Sequence, residues 1–231
     1  SESATSINYF VRFDYRTGES QYLPSIPLIG VAGSMAYYDG YLYYLPGKST
    51  YEFYRFDESK WQWSRMSDTP GTVYRPGSST LVATGDGVYA VRGNNYNFYK
   101  YTPDSDGGSW QVMRSSPGSI QNGSALYDAE SNSIYVAAGA GSSRFYRYNI
   151  DSDTWTTLTN LPATTAYGST LAIHDGKIYA QRGGITKTSY VYDIAGDSWE
   201  SGVDSPDNFR YGAMALKVED NKAVYFAGEY S

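Results

Sequence analysis

Residues 168–206 read GSTLAIHDGKIYAQRGGITKTSYVYDIAGDSWESGVDSP, and four short strands can be marked on them. Gly168–His174 is an apolar run of strand type, followed by Asp175-Gly176, the dipeptide preferred in two-residue hairpin turns. Lys177–Arg182 alternates and stops at Gly183-Gly184. A polar loop leads to Ser189–Tyr192, and Asp193–Ser198 turns the chain into a strand around Trp199. Pro206 closes the unit, because a residue without an N–H belongs after an edge strand. The unit is an antiparallel meander, its strands labelled a to d from the axis outward.

The same unit recurs along the chain. Gly33-Ser34, Gly77-Ser78, Gly123-Ser124, Gly168-Ser169 and Gly212-Ala213 stand 44, 46, 45 and 44 residues apart, a period that marks a β-propeller with one blade per repeat. Tyr43, Tyr89, Tyr135, Tyr179 and Tyr225 hold one place in strand b, which ends at Gly47, Gly93, Gly139, Gly183 and Gly228. Strand c carries Phe56, Tyr101, Tyr148 and Tyr192, and strand d carries Trp63, Trp110, Trp155 and Trp199. Proline follows at Pro27, Pro70, Pro117, Pro162 and Pro206.

The two ends hold complementary halves. After Gly212 only strands a and b remain, and before Pro27 only c and d. Tyr9–Phe13 (YFVRF) matches Glu52–Phe56 (EFYRF), and the strand around Tyr22 stands where Trp63 does elsewhere. The expected fold is therefore all-β: a five-bladed β-propeller of four-stranded antiparallel blades, closed by pairing the N-terminal c and d strands with the C-terminal a and b strands. That pairing would leave no open edge. It predicts one domain, 1–231, with blades at 33–70, 77–117, 123–162, 168–206, and 212–231 plus 7–27.

An apolar strand a, an Asp-Gly turn, an IYxxxG strand, an aromatic-x-aromatic strand and a tryptophan seven to nine residues on resemble the kelch-repeat propellers over nearly the whole chain. The kelch double glycine appears only at Gly183-Gly184, and kelch rings usually have six or seven blades, so a five-bladed ring is a distant relative. The resemblance implies a binding site on the face that carries the b–c loops and d–a links. Copper oxidases with kelch-like rings use a cysteine crosslinked to tyrosine, which this cysteine-free chain cannot make.

Composition narrows the function. The 24 acidic and 18 basic residues give a net charge of −6, with lysine and arginine scattered, which argues against nucleic-acid binding. No apolar run reaches the roughly 18–20 residues of a membrane-spanning helix. Absent cysteine excludes disulfides and thiolate metal sites. A start at Ser1 without methionine predicts a processed product, secreted or displayed at the cell surface. His174 is the only histidine and lies beside a turn, so histidine metal clusters are excluded and a serine triad would rest on it alone. Paired carboxylates for glycoside hydrolysis are missing from strand a, which offers little beyond Asp128. Asp104-Ser-Asp106 and Asp151-Ser-Asp153 look like calcium ligands but read as turn chemistry. Neither enzyme activity nor a cofactor is expected.

The b–c loops and d–a links vary in length and chemistry, whereas the a–b and c–d turns are short, so recognition is expected on the former. There the sequence places Tyr74, Arg75, Arg92, Asn94, Asn122, Tyr167, Arg182, Arg210 and Tyr211. Tyrosine faces stack on sugars while Arg and Asn bond hydroxyls, and the same set suits a protein segment gripped by Arg. Each arginine reads equally well as a structural donor to loop carbonyls. The expected partner is a glycan or protein ligand. The alternative is a structural subunit of a homo-oligomer or filament, suggested by 26 tyrosines and 18% charged residues.

Overall fold

A computed structural model describes residues 9–14, 16–27, 33–47, 50–71, 80–91 and 96–208, and the backbone of 211–217 and 222–228. The chain is all-β and holds four complete antiparallel meanders. Blade 1 is β3 (Ser34–Tyr38), β4 (Tyr41–Leu45), β5 (Tyr54–Asp57) and β6 (Gln62–Arg65). Blade 2 is β7 (Thr80–Ala83), β8 (Val88–Val91), β9 (Phe98–Thr102) and β10 (Ser109–Val112). Blade 3 is β11 (Ser124–Asp128), β12 (Ser133–Ala137), β13 (Phe145–Asn149) and β14 (Thr154–Thr157). Blade 4 is β15 (Thr170–His174), β16 (Lys177–Gln181), β17 (Ser189–Asp193) and β18 (Ser198–Ser201). Each end adds a two-stranded sheet, with β1 (Phe10–Phe13) on β2 (Ser20–Leu23) and β19 (Tyr211–Lys217) on β20 (Lys222–Gly228). This is the arrangement of a five-bladed propeller.

Strands β3, β7, β11, β15 and β19 lie beside one another in series, which makes strand a the innermost of each blade. Strand b is covered on both faces by neighbouring blades. Its side chains therefore form an apolar run rather than an alternation, and every residue of β8 (VYAV) and β12 (SIYVA) is buried. The a–b turns follow the sequence signal at Asp39-Gly40 and Asp175-Gly176, where both residues have positive φ.

One aromatic arrangement joins the blades. Phe145 of blade 3 meets Tyr192 and Trp199 of blade 4 with both ring centroids at 5.0 Å. Phe98 repeats this against Tyr148 and Trp155, and Phe53 against Tyr101 and Trp110. Each such edge-to-face pair contributes about 0.5–1.5 kcal/mol beyond the area it buries. The indole then reaches one step further. Trp110, Trp155 and Trp199 donate Nε1–H to the carbonyls of Ser67, Arg114 and Thr159, just beyond strand d of the preceding blade. Those same residues donate their N–H groups forward, Ser67 to the Gly107 carbonyl, Arg114 to Asp153 Oδ1 and Thr159 to Asp197 Oδ1. The acceptors also receive the hydroxyls of Tyr101, Tyr148 and Tyr192.

The N-terminal hairpin docks on blade 1 as a preceding blade would. Phe10 packs against Phe56 and Trp63, and Trp63 Nε1 donates to the Pro24 carbonyl at 2.9 Å. Arg12 forms an ion pair with Glu58. Here Pro24 has no N–H to give, and Phe56, in the place of the hydroxyl-bearing tyrosines, has no hydroxyl to donate. At the other end, β19 lies against β15 as β15 lies against β11.

Two expectations need correction or limit. Phe13 pairs with Ser20 in the β1–β2 ladder, as Phe56 pairs with Trp63 in β5–β6. Ser20, not Tyr22, therefore occupies the tryptophan position, because the length of the c–d turn sets the register and Tyr22 lies two residues beyond it. The expected ladder joining the N-terminal hairpin to β19–β20 is not among the hydrogen-bonded strand pairs of the described residues, so the two halves stand as separate sheets.

Candidate functional site

The loop face is built on a rigid frame. The residue before each closing proline donates its N–H across to the b–c loop: Thr69 to the Tyr51 carbonyl, Ser116 to Tyr96, Leu161 to Ser143 and Ser205 to Lys187, all at 2.8–2.9 Å. Where that residue is Thr or Ser, its hydroxyl also donates two residues onward, to the carbonyls of Gly71, Gly118 and Asp207. These pre-proline residues are buried, so d–a link and b–c loop are pinned together at each of the four complete blades.

Two b–c loops open with three successive left-handed residues, Gly139-Ala140-Gly141 and Gly183-Gly184-Ile185. Gly139 and Gly183 are required there. A Cβ on Gly183 would lie 2.5 Å from the Tyr167 carbonyl oxygen, and one on Gly139 would lie 2.3 Å from that of Gln121. The glycine that ends strand b is thus where the d–a link crosses it. Ile185 is different, a β-branched side chain at φ 65° that is 53% exposed. Such a residue is strained by about 1–2 kcal/mol.

The sequence-assigned residues fall into three groups. Tyr74, Arg75, Arg92, Asn94 and Arg210 lie outside the described residues, and Tyr211 opens β19 with only its backbone described. Tyr167 and Arg182 are brought together at the blade 3–blade 4 link, where the Tyr167 carbonyl accepts from Gly184 N and the Arg182 carbonyl from Ala166 N. Tyr167 is 54% exposed, whereas Arg182 donates Nε to the Thr164 carbonyl at 2.7 Å, the structural use of an arginine. Asn122 sits one link earlier, at φ 51°, with its Oδ1 buried and without a hydrogen-bond partner.

Sequence reading missed Tyr51, Tyr96 and Ile185. Tyr51, Tyr96, Ser143 and Lys187 occupy one structural position, each lending its carbonyl to the pre-proline N–H. The backbone there is held constant while the side chain changes. Tyr51 is 51% and Tyr96 52% exposed, adding two platforms to the face that also carries Tyr167 and Ile185. Tyr51 lies 19 and Tyr96 21 residues before the closing proline, a spacing too irregular to mark them in the sequence.

The opposite face is occupied by turn chemistry. A cleft there is lined by Asp128, Glu130, His174, Asp175 and Asp193. Asp128 accepts from Glu130 N and Ser131 Oγ, and Asp193 from Gly196 N. Asp104 accepts from the N–H groups of Asp106 and Gly108, and Asp151 from Asn132 Nδ2. Among the described residues no group of three or more His, Cys, Asp or Glu could hold a metal ion. Burial, followed by the hydrogen bond to Asp197, raises the Tyr192 phenol pKa. That same hydroxyl, against the smaller opposing effect of burial, holds the Asp197 carboxyl below its ordinary value.

No protein-family model matches the chain, and no curated protein does. Among solved structures it is similar to YjhT, with a TM-score of 0.68 at 14% identity, over 88% of this chain and 74% of that one. Likeness at this identity shows a shared β-propeller fold. No helix among the described residues is long and apolar enough to cross a membrane.

Proposed function

We propose that this chain is a non-catalytic binding module of kelch-like type, secreted or displayed at the cell surface, which recognises a glycan on its b–c/d–a loop face. One observation carries the reading. A backbone position pinned identically in four blades presents Tyr51, Tyr96, Ser143 and Lys187, and Tyr167 is exposed on a d–a link of the same face. Rigid scaffold, varied side chains and solvent-facing aromatic rings are what sugar stacking requires. Tyr51, Tyr96 and Tyr167 are the stacking residues, and Asn122 and Lys187, whose Nζ also donates to the Pro206 carbonyl, supply polar contacts. A protein segment is the alternative ligand for the same face.

The test is a glycan array probed with the full chain alongside Tyr96→Ala and Tyr167→Ala. Binding by the parent that falls at least tenfold in each variant, with unchanged thermal unfolding, supports the proposal. Binding unaffected by either change, or no binding to any glycan or peptide, overturns it. A structural subunit is the second reading, favoured by exposed apolar side chains away from the loops such as Val112 on the outer strand β10. Sedimentation at high concentration separates the two, since an assembling subunit would not stay monomeric.

A further inference from the structure

We infer that blades 1 and 3 each bind a small monovalent anion of the chloride class, held between the strand b tyrosine and the strand c arginine that faces it. The sites lie at Tyr43 with Arg55 and at Tyr135 with Arg147, within the sheets rather than on the loops. In each complete blade this tyrosine stands directly across the ladder from one residue of strand c. Arg55 faces Tyr43, Lys100 faces Tyr89, Arg147 faces Tyr135 and Val191 faces Tyr179. Three of these four partners are cations, and they are not neutralised alike.

Blade 2 carries its own acceptor. Lys100 Nζ donates to Asp86 Oδ2 at 2.6 Å, and Tyr89 Oη donates to the same oxygen at 3.5 Å. One carboxylate oxygen thus serves cation and phenol together. Asp86 stands three residues before Tyr89, whereas Gly40 and Asn132 stand three residues before Tyr43 and Tyr135. Gly40 has no side chain, and the Asn132 amide is engaged with Tyr127 Oη and Asp151. Blade 4 has no charge to balance at Val191.

In blades 1 and 3 the donors remain and the acceptor is missing. Tyr43 is 0% and Tyr135 1% exposed. Their hydroxyls, and the Nε atoms of Arg55 and Arg147, are buried without a hydrogen-bond partner. Neither arginine forms an ion pair among the described residues. A buried donor left unsatisfied costs about 1–3 kcal/mol, and more when it is charged, so each site calls for an acceptor. The surroundings set its sign. Burial raises the pKa of both phenols and the guanidinium beside each opposes that rise, while Asp39 and Asp128 act on them less than the arginines do. Asp197, which feels Arg147 across the joint, is held by Tyr192 Oη and Thr159 N. Arg55 lies over the Tyr41 ring at 4.3 Å, an arrangement that leaves the in-plane N–H edge of a guanidinium available. A spherical anion accepts from N–H and O–H at once, as the Asp86 oxygen does in blade 2. Tyr43 packs on Tyr101 and Tyr135 on Tyr192, so each anion also steadies the joint with the following blade.

Crystals soaked in sodium bromide should show one anomalous peak within hydrogen-bond reach of Tyr43 Oη and Arg55 Nε, and another at Tyr135 Oη and Arg147 Nε. Thermal unfolding in sodium chloride should lie about 3 °C or more above that in sodium gluconate of equal ionic strength, whose anion is too large to enter. Arg55→Val with Arg147→Val, the residue blade 4 already carries there, should abolish the difference. Tyr43→Phe with Tyr135→Phe removes only the hydroxyls and should at least halve it. Water in place of bromide at either site, equal unfolding temperatures in the two salts, or a difference undiminished in the phenylalanine variant would each overturn the inference.

Discussion

At the scale of single residues, the loop face depends on left-handed backbone. Gly183 combines φ 69° with backbone atoms of Tyr167 and Ser169 within 2.6 Å of any added Cβ. Gly183→Ala should therefore cost about 2–4 kcal/mol in chemical denaturation. Gly176→Ala, at a similar φ of 68° but with nothing within 4 Å, should cost only about 1 kcal/mol. Ile185 runs the other way. Ile185→Gly relieves strain and should raise stability by about 0.5–1 kcal/mol, seen as a few degrees in thermal unfolding. Repeat position alone marked the strand-ending glycines in the sequence. Ile185 was illegible because its φ is imposed by the crossing link, which no local pattern encodes.

At the scale of elements, strand d is held by its indole. Trp155→Phe keeps the ring against Phe98 but strips the Arg114 carbonyl of its donor, so stability should fall by about 1–2 kcal/mol in urea titration. The c–d turn of blade 4 adds a pH dependence. Asp197 accepts from Tyr192 Oη and Thr159 N, and its folded pKa lies below the ordinary carboxylate value. That contribution is complete above the unfolded carboxylate pKa near about 3.9 and is lost as pH falls through the lower folded value. Asp197→Asn should thus flatten the acid limb of the stability–pH profile, below the unfolded carboxylate pKa, while lowering stability at neutral pH. The tryptophan positions were readable from the repeat. Their acceptors were not, because Ser67, Arg114 and Thr159 share no side-chain type and act through the backbone.

At the scale of the molecule, the sequence expectation that the two half-blades pair to close a disc is open to a direct test. A permuted chain with its old ends joined by a short Gly-Ser linker, and new ends opened after Asp207, makes the fifth blade contiguous. It should retain the parent's circular dichroism and cooperative unfolding, whereas an aggregating or unfolded product would place the ends far apart. Sequence by itself determined the number of repeats, their strand order and the aromatic positions of the core. Those follow from periodicities of two residues along a strand and about 45 along the chain, both local to the polypeptide. Tertiary structure alone decided that Ser20 stands in the tryptophan's place, that Arg182 serves a loop carbonyl, and that Tyr51 and Tyr96 face solvent on a pinned backbone. Each of these is set by contact between segments some 18 or more residues apart or by cross-strand register, and a hydrogen bond to a distant carbonyl leaves no mark on the identity of the residue that provides it.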